Sequence, residues 1–174
     1  HENFLFWKHL SNAGLIAGNY SGVSDSTDPI TNYYAVTSNN APSGRLKDSL
    51  WYAQDFGTQS ASSMDMFDGV YNHTFEFGAY EIDGRPINAI VTASEAYALD
   101  SKYDDGKPGT GSIVVRPTWQ LCAVKNNGVY GNSATQAETS DSTTAVYNIA
   151  KNLNICVFEF TDVFKDFKYS DINE

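Results

Sequence analysis

Three aspartates near the middle of the chain are the residues best suited to hold a metal ion. Asp100, Asp104 and Asp105 precede the glycine-rich run 106–111, whose main-chain carbonyls could add further oxygen ligands. Calcium is a hard cation that takes about six to eight oxygens, so this is the ion that the cluster would hold. The spacing is not that of a twelve-residue calcium loop, however, and two nearby lysines could neutralise the acids. Helix termination with local ion pairing is therefore the competing interpretation.

Cys122 and Cys156 are the only cysteines, and each lies in an apolar run typical of a strand. They are either buried free thiols in a reducing compartment or one structural disulfide in an oxidising one. The low lysine content and the abundance of serine, threonine and asparagine favour the disulfide. A zinc site is not expected, because paired Cys-x-x-Cys spacing is absent and the chain has 3 histidines.

Other groups that could carry catalysis are scattered in the sequence. Glu76, Glu81 and Asp83 could form the carboxylate pair of a glycosidase, but they alternate along one predicted hairpin, where solvated positions are the simpler interpretation. The run 106–111 has its lysine before the last two glycines and no phosphate-binding helix after them, so a structural turn is expected. We therefore assign no catalytic residue and expect that the protein is not an enzyme.

A short helix is predicted to position the acidic cluster. Thr92 and Glu95 have the spacing of a capping box, in which a hydroxyl and a carboxylate satisfy free amides at a helix start. The pattern predicts a helix over 93–103 with one apolar stripe, ended by the Asp-Asp-Gly that follows it. The members of that stripe would be Tyr97, Leu99 and Tyr103 with Ala96 and Ala98.

A second helix is predicted at the start of the chain. Apolar residues recur at three- and four-residue spacings over 2–13, and Trp7 is expected in the core. Gly14 is placed to cap this helix, and the Leu15-Ile16 pair is expected to make the apolar contact that often follows such a cap.

The rest of the chain favours β-structure joined by polar loops. From Val70 the residues alternate, which predicts a strand with an aromatic face and a polar face, and Asp83-Gly84 would turn it into a returning strand over 87–91. Segment 18–45 is expected to be long loop with at most one short strand. The remaining predictions are a strand or short helix at 46–53, a polar linker at 58–63, strands at 112–115, 119–124, 145–149 and 154–160, a hairpin turn at 126–128, a polar loop at 131–143 and a loosely packed tail at 161–174.

Composition limits the classes of partner. The 174 residues fit one domain, and a net charge of −10 excludes nucleic acid and docking on an anionic membrane surface, since both need basic patches. No run of 18 apolar residues is present, so the chain as given is not expected to span a bilayer.

Two blocks of the sequence together resemble one family. The first is FWKHLSNAGLIAGNYSG at 6–22, and the second is ALDSKYDDGKPGTG at 98–111. Both are similar to blocks of bacterial proteins with a prepilin-type N-terminus, namely type IV pilins and type II secretion pseudopilins. In those proteins a cysteine follows the acidic turn and another lies near a C-terminal strand, as Cys122 and Cys156 do. The motif residues expected at the assembly surface are Trp7, His9, Leu10, Gly14, Leu15, Asp104, Asp105, Gly106, Pro108 and Gly111.

The resemblance implies an α+β, pilin-like fold. The end of the N-terminal helix would pack on an antiparallel β-sheet, with long loops and one additional short helix. The chain would be a single head domain over 1–174, divided into the remnant of the helix at 1–17, a loop-rich variable region at 18–68, and a β-rich core at 69–161 that contains the helix 93–103.

The resemblance also implies a function and a location. The protein would be a non-catalytic pilin, minor pilin or pseudopilin whose partners are other subunits. Apart from the calcium considered above for the three aspartates, no cofactor is expected. It would be anchored in the bacterial inner membrane with its head in the periplasm, or lie in an extracellular filament. The apolar helix that contains a glutamate in this family is missing, and we expect that it was removed. The alternative is a secreted or surface β-rich module that binds carbohydrate through Tyr33, Tyr34, Trp51 and Trp119.

Overall fold

A four-stranded antiparallel sheet organises the fold in a computed structural model, which describes residues 2–26, 35–59, 66–82, 84–116, 121–125 and 142–161. Three two-stranded sheets accompany it, and all pairings between described strands are antiparallel. This confirms the α+β class. The elements are α1 (Glu2–Asn12), β1 (Ser49–Asp55), β2 (Thr58–Gln59), β3 (Gly69–Val70), β4 (His73–Ala79), β5 (Val91–Thr92), α2 (Ala93–Tyr103), β6 (Ile113–Val115), β7 (Ala123–Lys125), β8 (Ala145–Tyr147), β9 (Asn154–Cys156) and β10 (Phe158–Phe160).

The strand order of the main sheet is β1-β4-β10-β6, so strands distant in the chain lie side by side. The smaller sheets pair β2 with β3, β5 with β9, and β7 with β8. The strands predicted at 112–115, 145–149 and 154–160 are confirmed, although Val157 divides the last one into β9 and β10. Strand β1 lies inside the region 18–68 that was expected to be loop-rich.

Strand β4 departs from its predicted faces. Thr74, Glu76 and Gly78 are buried, whereas the aromatic side chains of Phe75 and Phe77 are half-buried. The alternation was predicted correctly, but the polar face of the strand is its more deeply buried face. The reason is that long-range partners neutralise the charge of Glu76.

The predicted hairpin after β4 is wrong. Segment 87–91 makes only an isolated bridge to β4, between Ala79 and Asn88. The neighbours of β4 are instead β1 and β10, which offer longer runs of partner residues. At the end of the segment, Val91 pairs with Cys156 of β9.

Helix α1 packs against β1 and β4 of the main sheet. The Phe75 ring lies 5.5 Å from that of Trp7 and 5.8 Å from that of Phe6. The Phe4 ring lies 6.0 Å from that of Tyr52. These residues belong to one apolar cluster, and a second cluster surrounds α2 and the two cysteines. Packing of an N-terminal helix on an antiparallel sheet therefore agrees with expectation.

The connecting segments agree only in part with their predictions. In 18–26 and 35–45, the described parts of the expected long loop, Ser43 forms one isolated bridge to Leu50 and no strand occurs. The polar linker at 58–63 is wrong at its start, because Thr58 and Gln59 pair with Val70 and Gly69. Among the described residues, none of the helices is both long enough and apolar enough to cross a membrane. The hairpin turn at 126–128, residues 131–141 of the polar loop and the tail from 162 lie outside the described residues, as do Asp83 and Trp119.

Candidate functional site

The start of α2 is fixed by the predicted capping box. The Thr92 hydroxyl accepts a hydrogen bond from the Glu95 amide at 3.2 Å, and the Glu95 carboxylate accepts one from the Thr92 amide at 2.8 Å. The Thr92 amide also lowers the pKa of Glu95, because the bond favours the ionised carboxylate. The capping box is confirmed, and the helix 93–103 has the predicted bounds.

The buried face of α2 agrees only in part with the predicted one. Ala93, Ala96 and Asp100 are buried, whereas Tyr97 and Tyr103 are 48% and 68% exposed. Small side chains let the helix axis lie close to β8 and β9, and the tyrosines are left outside. The predicted apolar stripe is therefore confirmed at Ala96 and Leu99, which pack in the core, and wrong at Tyr97, Ala98 and Tyr103, which are exposed.

Asp100 ties the last turn of α2 to β8. One carboxylate oxygen accepts a hydrogen bond from the Tyr147 hydroxyl at 2.7 Å, and the other accepts one from the Gly106 amide at 3.1 Å. Burial raises the pKa of Asp100 to about 6, because the charged form loses its hydration. Burial also raises the pKa of Tyr147, so this tyrosine remains a donor at neutral pH.

Asp104 closes the acidic loop onto the next strand. Its Oδ2 accepts hydrogen bonds from the amides of Ser112 at 2.6 Å and Ile113 at 2.8 Å. Gly111, with a φ of +82°, lies so close to this carboxylate that a Cβ atom there would collide with it. A glycine is therefore required here by both its backbone conformation and the space available.

The remaining loop residues complete the turn. Asp105 accepts hydrogen bonds from the Lys107 amide at 2.9 Å and the Thr110 hydroxyl at 2.6 Å. Gly106, with a φ of +74°, supplies the left-handed residue expected after the helix. Pro108 is buried, and its carbonyl accepts a bond from the Val115 amide at 2.9 Å. The loop is thus fixed by its own polar groups.

The three aspartates lie close enough to share a cation. One ligand oxygen from each can be chosen such that all three lie within 4.8 Å of one another. Six internal donors already bond to these carboxylates, so they occupy about half of the roughly twelve lone-pair sites that the three groups offer. The hydrogen bonds show that the aspartates terminate the helix and shape the loop. Calcium binding stays a prediction.

A disulfide joins Cys122 and Cys156, with 5.0 Å between their Cα atoms. Both residues are fully buried beside Ala93 and Ala96 of α2. The disulfide keeps the start of β7 next to the end of β9, and it confirms the interpretation that the two cysteines are paired rather than free.

The first motif block forms the end of α1. Trp7 is buried and Leu10 is partly buried in the cluster beneath α1, whereas His9 is exposed. Gly14 has a φ of +71°, and its amide bonds to the Ser11 carbonyl at 3.0 Å. The Leu15 amide bonds to the Leu10 carbonyl at 3.0 Å, which completes a Schellman motif.

The apolar contact expected after Gly14 is formed by one residue of the predicted pair. Ile16 packs against the cluster beneath α1, but the Leu15 side chain is 71% exposed. The chain turns at Gly14 so that only the second of the two residues points back to the helix. Leu15 is therefore an apolar side chain at the surface beside the end of α1.

A buried charge cluster lies within the main sheet, and the sequence interpretation missed it. Glu76 is fully buried, and its two carboxylate oxygens lie 3.3 Å from Arg85 and 3.3 Å from Arg116. Gln54 donates a further hydrogen bond to Glu76 at 2.8 Å. Glu159, also buried, is the register partner of Glu76 on β10. The expectation that Glu76 is a solvated strand residue is wrong, because these partners come from distant parts of the chain.

The aromatic residues proposed for carbohydrate binding separate into two groups. Trp51 stacks on Phe77 with ring centroids 4.2 Å apart, and its ring lies 5.5 Å from that of Phe160. The Trp51 ring therefore packs against other aromatic side chains of the main sheet. Tyr33, Tyr34 and Trp119 lie outside the described residues. Comparison of the chain with protein-family models, curated proteins and solved structures finds no match.

Proposed function

We propose that this protein is a non-catalytic structural subunit of a type IV pilus-like or type II secretion filament, as a pilin, minor pilin or pseudopilin. The resemblance of its two sequence blocks is the basis of the proposal. Its head would lie in the periplasm or in an extracellular filament, and its partners would be other subunits. A membrane anchor would be a helix that precedes α1.

The observation that carries the proposal is the arrangement of the first block. Trp7 lies in the cluster between α1 and the sheet, and Gly14 caps the helix inside the Ala-Gly-Leu-Ile part of the block. A filament subunit of this family needs a helix held rigidly by its head, and these contacts hold α1 in that way. The exposed Leu15 then offers an apolar contact at the helix end.

The second block supports the same proposal. Its aspartates bond mainly to amides of their own loop, so they give the loop a fixed shape. Groups committed in this way are poor general acids or bases, which need access to a substrate. A rigid surface loop is suited to contact between subunits.

The test combines the native N-terminus with a surface substitution. Mass spectrometry of the protein from its own cell envelope should find a methylated apolar residue that begins a long hydrophobic segment. An N-terminus produced by ordinary secretory cleavage would contradict the proposal.

Leu15→Ser should reduce recovery of the protein in sheared filaments without lowering the stability of the head. Leu153→Ser is the matched control, since Leu153 is 66% exposed and directly precedes β9, outside both motif blocks. Equal recovery of both variants would show that Leu15 is not an assembly contact.

A further inference from the structure

A surface pocket of about 490 Å³ lies where the residues around 37–50 meet the end of β4. Its size is within the range of roughly 300 to 1,000 Å³ that is typical of small-molecule sites. The lining includes Ser38, Ser43, Leu46, Asp48 and Tyr80. These residues belong to neither of the motif blocks and to neither the disulfide nor the acidic loop.

The pocket presents uncommitted hydroxyl groups. Thr37 and Ser49 also line it, but their hydroxyls bond to the Asp25 carboxylate and to the Leu46 carbonyl. Within the described residues, the hydroxyls of Ser38 and Ser43 make no internal hydrogen bond. A ligand can therefore use both of them as donors and acceptors.

The exposed aromatic ring of Tyr80 lines the same pocket, and hydrogen bonds fix the backbone of this residue. Tyr80 is 44% exposed, while its amide bonds to the Asp48 carbonyl at 2.8 Å and its carbonyl accepts from Asn88 at 2.8 Å. Leu46 adds a second exposed apolar side chain. The exposed ring can stack on an apolar face of a ligand, and a tyrosine side chain loses little conformational entropy when it does so.

Asp48 supplies a carboxylate from an uncommon backbone conformation. Its φ is +59°, which is uncommon for a residue other than glycine, and its side chain is 67% exposed. The Tyr80 amide holds its carbonyl in place. Lys47 lies 3.9 Å away but is itself 92% exposed, so the ion pair contributes little in water.

We propose that this pocket binds a neutral saccharide. Sugars combine an apolar ring face with several hydroxyls, and the pocket offers a stacking ring, a carboxylate acceptor and two free hydroxyls. Asp48 and the net charge of −10 disfavour anionic ligands. The site does not use Trp51, and it does not depend on assembly of the chain into a filament.

The test is an amide chemical-shift titration of the whole chain with methyl mannoside, methyl galactoside and N-acetylglucosamine as separate probes. At least one sugar should shift the amides of residues 37–50 and 80. Tyr80→Ala should weaken that binding about tenfold, because it removes the stacking ring, whereas Tyr80→Phe should keep most of it.

Tyr103→Ala is the matched control, because Tyr103 is a 68% exposed tyrosine on α2, and it should bind as the wild type does. Asp48→Asn tolerates the same backbone conformation and should weaken sugar binding by removing the charged acceptor. An unchanged unfolding midpoint for Tyr80→Ala would confirm that the loss is local.

Three results would overturn the proposal. One is that none of the sugars shifts these amides at millimolar concentration, and another is that Tyr80→Ala binds as well as the wild type. The third is that choline shifts the same amides while the sugars do not, which would make the pocket a site for organic cations.

Discussion

At the scale of single residues, the most informative group is the carboxylate of Asp100. It is buried, and it joins α2, the acidic loop and β8 through Tyr147 and Gly106. Its pKa of about 6 lies above the usual value of 3.8, so the folded state binds its proton more tightly than the unfolded state does. This contribution to the free energy of unfolding is complete below pH 3.8 and is lost as the pH rises through about 6.

Asp100→Asn should remove this pH dependence. The Asn amide can donate to the Tyr147 oxygen while its carbonyl accepts from the Gly106 amide, so both contacts can be kept. Relative to the variant, the wild type should lose on the order of 2 kcal/mol of unfolding free energy between pH 4 and pH 7. Urea unfolding of both proteins across this range measures the difference.

Asp105→Asn is the control, since the Asp105 charge contributes to the raised pKa of Asp100 much less than burial does, and the variant should keep most of the wild-type pH dependence. A constant difference between the wild type and Asp100→Asn across the range would contradict the prediction.

At the scale of elements, both helices were predicted well at their ends, whereas the buried face was predicted well for α1 and only in part for α2. Thr92 bonds to a residue three positions away, and the hydrogen bonds of the cap at Gly14 span at most five residues. Spacing in the sequence is therefore enough to predict where these helices begin and end. The buried face of α2 depends on how close β8 and β9 come, which no local pattern encodes. The same limit explains Glu76, whose partner Arg116 is 40 residues away in the chain.

Gly14→Ala should lower the free energy of unfolding by about 1 kcal/mol, because alanine is strained at a φ of +71°. A Cβ atom there meets nothing within 4 Å, so the cost arises from the backbone alone. Urea unfolding measures it, with the midpoint as the primary readout.

Gly14→Asn should lose less stability, because asparagine tolerates the left-handed conformation better than alanine. Equal losses for the two variants, or a gain for alanine, would show that this residue does not limit the stability of the α1 end.

At the scale of the whole molecule, the fold depends on pairing between strands that are distant in sequence. The main sheet joins β1, β4, β10 and β6, and the smaller sheet of β5 and β9 ends beside the disulfide. The cysteine pairing was predictable, because composition indicates the redox compartment. The strand order was not, since several partners were compatible with each short apolar strand.

Reduction of Cys122–Cys156 should destabilise the protein by about 3 to 4 kcal/mol, since the cross-link closes a loop of this length in the unfolded chain. Urea unfolding of the reduced and oxidised proteins should show both a lower midpoint and a steeper dependence on urea, because the reduced chain exposes more surface. Cys122→Ala with Cys156→Ala is the companion variant and should not respond to reductant. Complete alkylation of unreduced, denatured wild type would contradict the presence of the bond.

The disulfide also determines whether a cut in the backbone releases a fragment of the protein. A single cut at any peptide bond between Cys122 and Cys156 leaves the two fragments joined through sulfur. Strands β7, β8 and β9 lie inside this ring, while α1, α2 and all four strands of the main sheet lie outside it. Extra residues inserted between β7 and β8 would enlarge the ring without changing the position of the disulfide at the end of β9. The chain can therefore vary or be nicked in this interval while its two ends stay attached to one molecule.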